Sequence, residues 1–162
     1  MIRQARVADI DTMIEIEDAA NEMFRSIGMA DVSDDPFPTV EYVAASVAAG
    51  AAWVHADDGR VTAYLLAERL DRRAHIEQVT VHPDCARRGI GAALIRHAAE
   101  WAVIEGLDGL SLTTFAHVPW NAPYYRRLGF VELREPQWTK GLRHRVELEA
   151  RRGLTDRVVM VI

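Results

Sequence analysis

The rhythm of hydrophobic and polar positions changes along the chain, and each change marks an element. Residues 2–7 alternate briefly and predict a short edge strand. Ile10, Met13, Ile14, Glu17, Ala20 and Phe24 then recur at helical spacing. A first helix therefore runs to about Ile27, with Asp9 and Asp11 as acceptors at its start and Gly28 as its stop. Residues 31–38 have loop composition. Thr39 is placed to cap a second helix, with Val40, Val43, Ala44 and Val47 on one face and Gly50 at its end. Residues 51–56 and 61–69 flank Asp57-Asp58-Gly59-Arg60, which is a hairpin signal. A charged turn over 70–73 leads into 75–81, where Ile76, Val79, Thr80 and Val81 favour a strand.

Pro83 stops that strand. From Ile90 onward Ala93, Leu94, Ala98 and Trp101 restore the helical period. Residues 110–115 read as a further strand, 121–128 as a short helix stopped by Gly129, and 130–133 as the next strand. A helix over 138–152, closed by Gly153, precedes a last β-rich run over 157–162, which fits an antiparallel edge strand. The order is β-α-α-β-β-β-α-β-α-β-α-β, an α+β pattern with a mixed sheet.

Between the strand at 75–81 and the following helix lies a basic corner, Arg87-Arg88-Gly89-Ile90-Gly91-Ala92. The first N–H groups of a helix lack internal partners and stand at its positive end, and glycine lets a ligand approach the backbone. Such a corner suits a phosphate or pyrophosphate. It lacks the Gly-Lys-Ser/Thr of a Walker loop, and Leu94 stands where a dinucleotide fingerprint needs a third glycine. Val81-His82-Pro83 followed by this corner resembles the acetyl-coenzyme A loop of the GNAT N-acetyltransferases. Asn121-Ala-Pro-Tyr-Tyr-Arg-Arg-Leu-Gly-Phe130 resembles that family's second hallmark.

The resemblance covers most of the chain. It implies a three-layer fold, with helices on both faces of a twisted mixed sheet of about seven strands. It further implies that the strands beside the central helix part to admit the pantetheine arm. Acetyl-coenzyme A is then the donor, with no metal. The backbone of Arg87, Arg88, Gly89, Ile90, Gly91 and Ala92 would hold the pyrophosphate, and Val79, Val81, Asn121 and Tyr125 would contact the rest of the coenzyme. A backbone N–H near Val81 would polarise the acyl oxygen. Ala86 departs from the family, which places Gln or Arg there, so one side-chain contact is missing.

His75, Glu77 and Val79 share one strand face. In the family a Glu or His often serves as base at the first two of these places, so the resemblance makes Glu77 the first candidate for the base and His75 the second. The plain alternative for Glu77 is a structural acceptor. Tyr125 matches the position whose hydroxyl faces the coenzyme sulfur, as general acid. Asn121 suits a helix N-cap equally well. The segment before the second strand forms one acceptor wall in the family, so Phe24 and Phe37 are candidate substrate-binding residues. Each also reads as ordinary packing. Cys85 is read as a loop residue rather than a nucleophile, and no cluster has metal-ligand spacing.

Composition narrows the partners. The formal charge of −5 disfavours nucleic acid and mildly favours a cationic amine. With 162 residues, the expectation is one acetyltransferase domain over 1–162. One cysteine and no leader pattern fit a cytoplasmic protein. No run is long and apolar enough to span a bilayer. The acceptor expected is a primary amine of a small molecule or peptide, and a homodimer is the assembly to test for. The rival reading is a non-catalytic acyl-coenzyme A-binding sensor or regulatory module.

Overall fold

The computed structural model describes residues 1–162. Seven strands pair in the order β1-β2-β3-β4-β5-β7-β6. They are β1 (Ile2–Gln4), β2 (Ala52–Asp57), β3 (Arg60–Leu70), β4 (Arg73–Val81), β5 (Leu110–Phe115), β6 (Val131–Leu133) and β7 (Arg157–Val161). The helices are α1 (Ile10–Arg25), α2 (Ala30–Ser33), α3 (Val40–Ala48), α4 (Ile90–Ile104), α5 (Ala122–Arg127) and α6 (Lys140–Arg151). The mixed α+β sheet expected from the order of elements is therefore present. Two compact units divide the chain: residues 1–68 with 78–97, and residues 69–77 with 98–162.

In the first unit, the hairpin closes through Asp58 and Gly59, both at positive φ. That backbone matches the right-handed twist of β2 and β3, and it explains the Asp-Gly signal. Thr39 caps α3 by accepting from the Tyr42 N–H. Met13, Ile16, Val43, Val54, Tyr64 and Leu66 form the centre of this unit's core. Asp9 does not cap α1 with its side chain. It instead accepts from the Arg3 guanidinium and from the Arg6 N–H, fixing the chain between β1 and α1. Overlapping the start of the stretch read as loop, residues 30–33 form α2, a single turn too short to show a period.

In the second unit, the parallel ladder between β4 and β5 holds only Ala74↔Leu110, His75↔Ser111 and Ile76↔Leu112. β7 is not the edge strand expected. It pairs antiparallel with β5 on one side and with β6 on the other, so β6 takes the edge. Local pattern could not reveal this, because register between distant strands is set by pairing partners rather than by alternation. Thr139 caps α6 by accepting from the Leu142 N–H. The Asp71 carboxylate accepts from the Thr139 hydroxyl and from the Gly141 N–H, tying the turn before β4 to the start of α6.

Candidate active site

The first unit carries the basic corner. Arg87 and Gly89 both have positive φ, turning the chain sharply into α4. The Gly89 carbonyl accepts from the Ala93 N–H, so Gly89 stands just ahead of the helix. Helix geometry then leaves the N–H groups of Ile90, Gly91 and Ala92 without partners inside the helix. Arg88 bonds Asp57 at 3.0 Å on the surface, which keeps its guanidinium beside the corner. Cys85 is half-buried in the short turn after Pro83. Val79 and Val81 are partly exposed on β4.

The same unit contains a buried network that the sequence reading missed. The Glu17 carboxylate accepts from the Tyr64 hydroxyl at 2.5 Å, the Thr80 hydroxyl at 2.7 Å and the Gln78 amide at 2.9 Å. Burial pushes its carboxyl above the ordinary range, against the pull of those three donors. A glutamate on the apolar stripe of a helix was the available signal. Phe24 is half-buried on α1, and Phe37 packs against Tyr42 with its ring tilted by 59° and centroids 4.8 Å apart.

The second unit brings His75 and Glu77 together, as the strand alternation required. His75 Nε2 lies 3.9 Å from Glu77 Oε1. Arg145 of α6 pairs with the same carboxylate, Nη2 to Oε1 at 3.0 Å and Nη1 to Oε2 at 3.2 Å. His75 is 1% exposed and its Nδ1 is 2.8 Å from the Ser111 hydroxyl. Burial first, then Arg145 and Arg157, pushes its imidazole down to about 3, so the ring is neutral at physiological pH. An imidazole with so little proton affinity is a weak base, which favours the carboxylate of the pair.

Tyr125 is buried against Phe130, with ring centroids 5.6 Å apart, and against Tyr124 at 5.4 Å. Burial pushes its phenol up, so it stays protonated. Asn121 occupies the N-cap position of α5, yet its side chain makes no capping bond. Its Oδ1 is buried without a hydrogen-bond partner. A buried amide oxygen left so costs about 1–3 kcal/mol unless a ligand meets it. His117 bonds Asp156 at the surface, away from this group. In the first unit, His82 accepts from the Asp84 N–H.

A family model for acetyltransferases, described as the GNAT family, matches residues 11–130. Solved structures share the fold. The PaiA N-acetyltransferase of Thermoplasma acidophilum, crystallised with coenzyme A, is 14% identical with a TM-score of 0.74, covering 99% of this chain and 96% of that one. The ribosomal-protein-S18-alanine N-acetyltransferase of Escherichia coli is 20% identical with a TM-score of 0.65, covering 100% and 92%. A GNAT family acetyltransferase of Brucella melitensis, crystallised with acetyl-coenzyme A, is 25% identical with a TM-score of 0.62, covering 87% and 92%.

Proposed function

The chain belongs to the GNAT acetyltransferase family, and from that premise we propose that it moves an acetyl group from acetyl-coenzyme A directly to a primary amine. The acceptor is a small molecule or a peptide. Two neighbours in fold are named as N-acetyltransferases, one of them for a protein alanine, which supports nitrogen as the acceptor atom. The observation that carries the reading is the buried, unpartnered Oδ1 of Asn121. An amide N–H of the pantetheine arm is a donor of the kind this oxygen needs.

In this reading the corner at Arg87–Ala92 receives the pyrophosphate on helix N–H groups and on the charges of Arg87 and Arg88. The β4 backbone at Val79 and Val81 holds the acyl end, with an N–H near Val81 on the developing oxyanion. The neutral amine attacks the thioester carbon, and Glu77 takes the amine proton. Tyr125 donates its phenolic proton to the departing thiolate. His75 is second choice as base. Phe24 and Phe37 form an apolar part of the acceptor wall.

The test is a panel of amines and peptides with acetyl-coenzyme A, reading free thiol. Thiol release that depends on the amine, with acetylated product in equal amount, is expected. Tight coenzyme binding with no amine-dependent release would instead identify an acyl-coenzyme A sensor.

A further inference from the structure

The second unit holds a cavity of about 370 Å³, lined in part by Leu70, Asp71, Arg73, Ser111, Thr139 and Leu142. Asp71 and Thr139 are exposed, so its mouth is on the surface. Ser111 is 1% exposed and belongs to the inner wall. Its hydroxyl bonds His75 Nδ1 at 2.8 Å, across the register pair His75↔Ser111. The other ring nitrogen of His75 faces Glu77 Oε1 at 3.9 Å. Three polar side chains thus run in line from a solvent-facing cavity to a buried carboxylate. A buried histidine satisfied by one serine is often no more than packing. Here both ring nitrogens face polar groups, and only one of those groups connects to the cavity.

We infer that His75 and Ser111 carry the proton accepted by Glu77 out to solvent in this cavity. The inference rests on the acetyl transfer proposed above, with Glu77 as base. The N–C bond forms, the C–S bond breaks, and the surplus amine proton passes to Glu77. Glu77 gives it to His75 Nε2, the contact closing by about 1 Å to hydrogen-bond range. The Nδ1 proton moves to the Ser111 oxygen, and the Ser111 hydroxyl proton leaves to cavity water. One proton exits, no group is oxidised or reduced, and the ring is left with its proton on Nε2. Arg145 beside Glu77 and Arg157 near His75 oppose a lasting imidazolium, so the ring passes the proton without storing it. A cavity of this size, open to solvent past Asp71 and Thr139, has room for several waters. In this path, with Glu77 as base, His75 and Ser111 act through Glu77 and are positioning residues.

Single-turnover acetyl transfer tests this in wild type, Ser111→Ala, Ser111→Thr and His75→Gln. Ser111→Ala should be at least tenfold slower with unchanged coenzyme A affinity, and imidazole buffer should restore part of the rate. Ser111→Thr keeps a hydroxyl and should retain the wild-type rate. The double variant of His75→Gln with Ser111→Ala should be no slower than the slower single variant, because both lie on one path. If His75→Gln does not fold, the serine pair decides. Undiminished transfer in Ser111→Ala, or a loss that buffer does not relieve, overturns the path. No amine-dependent thiol release in wild type overturns the functional reading, and the path falls with it.

Discussion

Asp9 and Glu17 are buried carboxylates of the first unit that answer pH in opposite senses. Asp9 is held below its ordinary 3.8, chiefly by the hydrogen bonds from Arg3. Its contribution is present above the unfolded value and lost as pH falls through the lowered one. Glu17 is raised above its ordinary 4.5 by burial, so the folded state binds its proton more tightly than the unfolded chain does. Stability therefore falls as pH rises from 4.5 through the raised value. Glu17→Gln should flatten that decline, and Asp9→Asn should flatten the loss in acid. Urea midpoints over a pH series measure both. A decline that persists in Glu17→Gln assigns it to another group. Tyr125 offers a second contrast at this scale. If its hydroxyl is the acid, Tyr125→Phe should lower turnover by roughly 10² to 10⁴ without weakening coenzyme binding. Tyr124→Phe, its half-buried neighbour, should be close to wild type. Equal turnover in both variants removes the role from this helix.

At the scale of elements, Gly109 shows how one position holds a strand. Its φ of 135° suits glycine, and an added Cβ would overlap the Ile162 carbonyl oxygen. That carbonyl accepts the Leu110 N–H at 3.0 Å, which aligns β5 with the end of β7. Gly109→Ala should cost roughly 2 to 4 kcal/mol, combining backbone strain with the overlap. Thermal unfolding reads this, and a change below 1 kcal/mol would mean the β5–β7 register relaxes easily. Much at this scale was legible in the sequence. The Asp58-Gly59 turn, the Thr39 cap, the alternation through His75 and Glu77 and the helix over 140–151 each follow from local chemistry. Others were not legible, because they join distant segments. Nothing near Glu77 announces Arg145, nothing near Glu17 announces Tyr64, and β7 inserts where no local rule could put it. The unpartnered oxygen of Asn121 was hidden for the opposite reason. Its residue type fits a cap so well that only coordinates reveal the missing bond.

For the whole molecule, ligand binding and folding should be linked. Coenzyme A at a hundred times its Kd should add about 2.7 kcal/mol to stability. For a chain of this size that is roughly 5 to 10 °C in Tm. Asn121→Ala should reduce the shift by about 1.4 kcal/mol, a tenfold loss of affinity. It should not lower the unliganded Tm, since the amide oxygen has no bond to lose and its burial cost is relieved. A full shift in Asn121→Ala would remove this residue from the coenzyme site. No helix is long and apolar enough to cross a membrane.

The strand order also fixes a timetable for synthesis. β6 pairs only with β7, and β5 needs β7 on its outer side. A ribosome adding about 5 to 20 residues per second completes β6 on the order of seconds before it completes β7. During that interval β5 has one open edge and β6 has no partner, while α6 is still being made. Nascent chains arrested with Leu133 clear of the exit tunnel should be open to protease across residues 110–133. Chains arrested with Ile162 clear should be protected there. Val131, already 61% exposed in the finished fold, lies in a segment with no strand partner until β7 is made.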